Sequence, residues 1–285
     1  MKTIQWYPGH MAKTKKQIQA QLKLVDIVIE LLDARAPIAS QNPMIQSISS
    51  HKRRLILLNK ADLADTFELK KFIDYFEKQG HKVLAINALN GMNVQKIPSL
   101  AKSLIKDILE KEKKRGRIER PVRSMIVGIP NVGKSTLINQ LVSKKVTKVG
   151  DIAGVTKHLQ MIRIHDDLEL LDTPGILWPK FDDEEVGLKL ALLGSIKDTI
   201  LPLDDVVIYG MKFLNQYYKK AFESRYDINV DIDNIGKIFD DIGIKRGCLR
   251  KGNEIDYDRV IDIFLHDFRH MQFGKIILDR IDQDV

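Results

Sequence analysis

Short, nearly continuous apolar runs alternate with amphipathic stretches through the first two-thirds of the chain. Asp26 to Leu32, Arg54 to Leu58 and Lys82 to Ile86 are such runs, and their continuity predicts parallel strands buried on both faces. Phe67 to Gln79 carries apolar positions at helical spacing and stops at Gly80. Ala12 to Leu24 predicts a lysine-rich helix with Ile18 and Leu22, followed by Val25, on one face. Val94 to Arg115 predicts a long helix interrupted near Pro98. Ser124 to Val127 is a further strand and Ser135 to Val142 a further helix. Leu159 to Ile164 and Leu168 to Leu171 predict an antiparallel hairpin around His165-Asp166-Asp167. Past Trp178-Pro179 the pattern changes to helical patches with almost no strand signal, among them Asp205 to Tyr217, Ile235 to Ile242 and Tyr257 to Phe268. The alternation predicts an α/β domain with a mostly parallel sheet over residues 1–178, followed by a small all-α domain over residues 179–285.

Composition narrows the setting. The 285 residues are 44% hydrophobic and 29% charged, ordinary for a globular protein. The single cysteine, Cys248, cannot form an intramolecular disulfide, which favours a reducing, cytoplasmic location. No apolar run approaches the ~18 residues of a membrane span. Met1 to Lys23 has no signal-peptide pattern. The net charge of +8 points to a polyanionic partner. The excess is uneven: Met1 to Lys23 holds five lysines and no acid, and Lys106 to Arg123 holds eight basic and four acidic residues. Solvated faces account for such runs as well as RNA does, but several runs in one chain lean towards RNA.

The chemistry lies at the ends of the predicted strands. Gly128-Ile129-Pro130-Asn131-Val132-Gly133-Lys134-Ser135 is a full GxxxxGKS phosphate loop between a strand and a helix. Gly128 and Gly133 let the backbone wrap phosphate closely. The N–H groups of the loop and first helical turn, from Asn131 through Val132, Gly133 and Lys134 to Ser135 and Thr136, form the phosphate-binding set. Lys134 reaches for the β- and γ-phosphates, and the Ser135 hydroxyl for Mg²⁺. Asp172-Thr173-Pro174-Gly175 fits DxxG, with Asp172 near the metal and the Gly175 N–H on the γ-phosphate. Thr156, in Ala153-Gly154-Val155-Thr156, is the switch candidate that closes on Mg²⁺ and γ-phosphate.

Asn59-Lys60-Ala61-Asp62 fits the guanine-reading NKxD. The Asp62 carboxylate can accept from guanine N1–H and the exocyclic amine. Adenine offers neither donor, and the unpaired carboxylate then discriminates by ~10⁴ or more. Asn59 holds the loop and base edge, and the Lys60 stem covers the ring. Asn87-Ala88-Leu89 corresponds to the later base loop, with the Ala88 N–H directed at the guanine carbonyl oxygen. In the common order of such proteins the phosphate loop comes first. Here NKAD precedes it by about seventy residues.

One position is filled by the wrong chemistry. Ile176 follows DxxG where many GTPases place a water-orienting glutamine, and an apolar side chain cannot orient water. His10, in Trp6-Tyr7-Pro8-Gly9-His10-Met11, is the candidate replacement. The alternative is that Trp6 and Tyr7 pack on the domain and His10 contacts RNA or nothing. Asn131 is a candidate to hold a monovalent cation between the α- and γ-phosphates, with a plain loop residue as the alternative. In the tail, Lys245, Arg246, Arg250, Lys251, Arg269, His270, Lys275 and Arg280 are candidate phosphate contacts.

QWYPGHM at Gln5 to Met11, DARAP at Asp33 to Pro37, NKAD, GIPNVGKS and DTPG, in this order, resemble the circularly permuted GTPases of ribosome assembly. The resemblance implies a cytoplasmic, Mg²⁺-dependent enzyme that converts GTP to GDP, with potassium dependence and with Asn131 matching the cation-associated asparagine. It implies a role in late maturation of the large bacterial ribosomal subunit, with rRNA and ribosomal proteins of the precursor particle as partners and as stimulators of hydrolysis. It makes His10 the catalytic group and the helical domain a contact for rRNA. Asn87 departs from the family's serine, and Ala153 from its proline. Two other readings stay open: a GTP-dependent switch for a non-ribosomal partner with incidental hydrolysis, and an ATPase with a fortuitous NKxD.

Overall fold

The computed structural model describes residues 16–142, 147–151, 160–171, 183–196, 198 and 202–281. The chain divides into two compact units, Met1–Lys180 with Asp279–Val285, and Phe181–Leu278. The helical unit therefore ends at Leu278, and Asp279 onward returns to the α/β unit.

In the α/β unit, β1 (Ile27–Asp33), β2 (Arg53–Asn59), β3 (Lys82–Ala85), β4 (Val122–Val127), β5 (Thr147–Asp151), β6 (Gln160–His165) and β7 (Leu168–Leu171) form one sheet in the order β3-β2-β1-β4-β7-β6-β5. The first five in that order are parallel, and β6 and β5 are antiparallel. All seven residues of β1 are buried, as a strand covered on both faces requires. Below one face, Ile18, Leu22 and Val25, from helical residues 16–22 (α1) and the turn after them, pack with Val28, Ile45, Met125 and Leu171.

Several helix boundaries have legible causes. In α2 (Pro43–Ile48) the Asn42 side chain caps the N–H groups of Met44 and Ile45, and Pro43 stands where no donor is needed. In α3 (Thr66–Lys78) Asp65 caps Phe67 and Glu68. The expected long helix over 94–115 is instead a 3-10 turn, Val94–Lys96, then α4 (Ile97–Leu104) and α5 (Lys106–Lys114). Pro98 sits in the first turn of α4, where proline is tolerated. The break falls at Ile105, whose φ of −115° leaves the helical region. Helix α6 (Lys134–Leu141) starts directly from the phosphate loop.

The helical unit contains α7 (Glu184–Leu192), α8 (Leu203–Tyr217), α9 (Lys219–Tyr226), α10 (Ile235–Arg246) and α11 (Tyr257–Arg269). Phe222, Tyr226, Phe264 and Phe273 form an edge-to-face aromatic core. Buried Asp267 accepts two bonds from Arg225, at 2.8 and 2.7 Å.

Candidate functional site

Register decides which side chains meet. The last pair of β1 and β2 is Asp33 with Asn59, and Glu30 of β1 pairs with Val127 of β4. The carboxyl ends of three parallel strands thus deliver Asp33, Asn59 and the phosphate loop to one rim. Ligand sites of open α/β sheets form at this rim.

Asn59 ties the site together. It is 3% exposed. Its Nδ2 donates to the Val132 carbonyl at 2.7 Å, and its Oδ1 accepts from the Ala88 N–H at 2.9 Å. One amide therefore links the base-reading motif to the phosphate loop and to the second base loop. The Ala88 N–H, expected to face the guanine carbonyl oxygen, is given to Asn59 here. Asn87 supports its loop: its Oδ1 accepts from the N–H groups of Leu89 and Asn90, at 2.8 and 3.1 Å. Asparagine in the serine position therefore does supply side-chain support.

Lys60 adopts a left-handed backbone conformation, φ 60°. Its Nζ bonds the Asp33 carboxylate at 2.9 Å and the Asn131 carbonyl at 3.1 Å. Asp33 is fully buried and receives Arg35 through two further bonds, at 3.0 and 2.9 Å. Burial alone pushes the Asp33 carboxyl pKa up, but the Arg35 and Lys60 cations outweigh it and hold the group far below the usual carboxylate range. The DARAP segment is thus a clamp on the NKAD lysine, a role its sequence did not announce.

Asp62 is different. Its Oδ1 is buried and makes no hydrogen bond within the protein. A buried carboxylate oxygen without a partner costs ~1–3 kcal/mol or more, and a purine edge with two N–H donors meets that need.

In the phosphate loop, Gly133 has φ +102°, and a Cβ there would stand 2.4 Å from Asn59 Nδ2. A Cβ on Gly128 would stand 2.5 Å from the Leu31 carbonyl oxygen. Both glycines are demanded by close approach of the loop to β1 and to Asn59. Val132 is buried, whereas Asn131, Ser135 and Thr136 are exposed. Lys134 curls back over the loop and donates to the carbonyls of Gly128 and Ile129, at 2.7 and 2.8 Å. Burial pushes its pKa down to about 8. These carbonyls are neutral acceptors, so an arriving phosphate offers the ammonium better electrostatics. The exposed Ser135 hydroxyl at the helix start is an oxygen donor of the kind Mg²⁺ accepts.

His10, Thr156, Asp172, Gly175 and Ile176 lie outside the described residues. Among the described residues no group of three or more metal-ligating side chains occurs, and no helix is long and apolar enough to cross a membrane.

The tail's basic residues are less available than their sequence suggested. Arg246 donates to the Arg225 carbonyl and lies over the Tyr226 ring, 5.2 Å from its centre. Arg269 bonds the Ala191 and Leu192 carbonyls and pairs with Asp198. Lys245 pairs with Asp227, and Arg250 with Asp256 and Asp258. Arg280 is half-buried and donates to the Asp279 carbonyl. Lys251, His270 and Lys275 are exposed.

Comparison with known proteins places this geometry. A family model described as a 50S ribosome-binding GTPase matches residues 123–231, beginning at β4 and leaving NKAD outside the matched stretch. The chain is 49% identical to ribosome biogenesis GTPase A of Bacillus licheniformis, over 97% of this chain and 98% of that protein. It is 35% identical to mitochondrial ribosome-associated GTPase 1 of Ictalurus punctatus, over 96% and 92%. The GDP-bound structure of YlqF from Thermotoga maritima is similar with a TM-score of 0.67 at 29% identity, covering 93% of this chain and 98% of that one.

Proposed function

The chain belongs to the ribosome biogenesis GTPase A family, and from that premise we propose that it acts in late maturation of the large ribosomal subunit. It is a ribosome-assembly enzyme that hydrolyses GTP to GDP and phosphate. In the proposed cycle the GTP state binds the precursor particle, its rRNA and its ribosomal proteins in the cytoplasm, and hydrolysis releases it. Domain roles divide accordingly, with nucleotide held by residues 1–178 and rRNA met by the helical domain.

The observation that carries the nucleotide half is the Asn59 tie between the base-reading motif and the phosphate loop, beside half-buried Asp62, whose Oδ1 is buried without a hydrogen bond within the protein. Guanine lies against Asp62, Asn59, Asn87 and Ala88, and Lys60 covers the ring. Phosphate enters the cradle of Gly128, Asn131, Val132, Gly133, Lys134, Ser135 and Thr136. Ser135, Thr156 and Asp172 are the residues that would hold Mg²⁺, which supplies charge neutralisation at the phosphates. Asn131 is the residue that would meet K⁺. Gly175 reports the γ-phosphate, and His10 orients the attacking water in the place left apolar by Ile176.

The test is binding of the full chain to purified large-subunit precursors in GDP and in a non-hydrolysable GTP analogue. Tighter binding with the analogue, with particle-stimulated turnover, is expected. Equal binding in both states and an unstimulated rate would overturn the ribosomal half while leaving the GTP site standing.

A further inference from the structure

The segment after β1 takes an anchor from outside itself. Loops satisfy their backbone donors locally, by water or by borrowed acceptors. Here the Ala34 N–H goes to the Asn59 carbonyl at 2.8 Å, Arg35 to Asp33 Oδ1 at 3.0 Å, and Ala36 to the Asp33 carbonyl at 2.9 Å. Ser40 donates to Ala36 at 2.9 Å and Gln41 to Ile38 at 3.0 Å. Pro37 has no N–H. Ile38 and Ala39 remain, and both donate to Asp279 Oδ2, at 2.6 and 3.0 Å. Asp279 is 3% exposed and lies 240 residues beyond Ala39 in sequence.

The other end of the same loop reaches the nucleotide motifs. Ala34 bonds Asn59, and Asp33 holds Lys60, which bonds the Asn131 carbonyl. Ser40 Oγ accepts the Asp33 N–H at 3.0 Å and donates to the Ala36 carbonyl at 2.6 Å, so the loop is closed on itself. We propose that Asp279 is a positioning residue of the nucleotide site, acting through the Ala34–Ser40 loop on Asn59 and Lys60. The inference rests on the GTP-site reading and extends it to a residue that no nucleotide motif contains.

The test uses the full-length protein and a fluorescent GDP. Asp279→Ala is expected to raise GDP dissociation roughly tenfold, with association within about twofold. Asp279→Asn keeps an acceptor oxygen and should stay within about threefold of the parent. In the unmodified chain, GDP should slow amide exchange at Ile38 and Ala39 more than at Val260 in the helical unit, because coupling is reciprocal. That measurement decides the matter if Asp279→Ala does not fold. Parental dissociation in Asp279→Ala, or Ile38 and Ala39 amides indifferent to GDP, would overturn the inference alone. Failure of the unmodified chain to bind GDP would overturn the site reading with it.

Discussion

Asn59 and Asp62 are neighbours in one motif, yet the structure assigns them opposite effects on the nucleotide-free protein. Asn59→Ala strips the partner from two buried backbone groups, the Val132 carbonyl and the Ala88 N–H. Each buried group left unsatisfied costs ~1–3 kcal/mol, so the expected loss is ~2–6 kcal/mol. With a urea m-value of about 2 kcal/mol/M, the midpoint of the α/β unit should fall by about 1–3 M. Asp62→Ala removes a carboxylate whose Oδ1 is buried without a partner. Its midpoint should hold or rise slightly. Its GDP affinity should fall by ~10²–10⁴, from two charge-assisted bonds of ~1.5–3 kcal/mol each. The assay is far-UV circular dichroism in urea on nucleotide-stripped protein, with GDP titration of the same samples. An unchanged midpoint in Asn59→Ala, or equal falls in both variants, would refute the view of Asn59 as a structural tie.

Lys134 should show itself as a proton. With a nucleotide-free pKa of about 8 and phosphate raising it, GDP binding at pH 9 should take up about 0.9 proton, against about 0.1 at pH 7. Affinity should accordingly weaken as pH rises above 8. Calorimetry in buffers of different ionisation enthalpy measures this, and no uptake at pH 9 would mean the lysine is already charged. Gly133→Ala, strained at φ +102° and pressed on Asn59, should weaken GDP binding ~100-fold or more, a loss of ~3 kcal/mol; near-parental affinity would contradict the close approach. His10→Ala should cut particle-stimulated turnover while sparing GTP affinity, and equal loss of both would point to folding instead. ATP should compete with GDP ~10⁴-fold more weakly than GTP does, and comparable competition would remove Asp62 as the base reader.

Much of the site was legible because its motifs are local. Continuous apolar runs marked β1 and β2, and strand–glycine loop–helix context marked the phosphate loop. Asn59 and Asp62 were named from four residues. What escaped is non-local or weakly patterned. Thr147–Asp151 joins the sheet at its edge without an apolar run to mark it. The break at Ile105 has neither glycine nor proline to announce it, and Pro98, which did, sits harmlessly in a first turn. Arg246, Arg269 and Arg280 read as exposed because charge usually is, but they are half-buried, and a partner such as Asp198 for Arg269 lies far off in sequence. No local pattern links Asp33 to Lys60, or Ala39 to Asp279.

The sheet order carries a consequence for synthesis. Strands β1 to β3 leave the ribosome as a neighbouring parallel set, but β4 lies on the far side of β1. Until Val122–Val127 has been made, the nascent chain carries a buried-type apolar strand with one edge bare, a template for wrong pairing. The Asn59 amide likewise waits for the Val132 carbonyl. The half that reads the base is therefore born first, yet its pocket cannot close until the half that holds phosphate has followed it out.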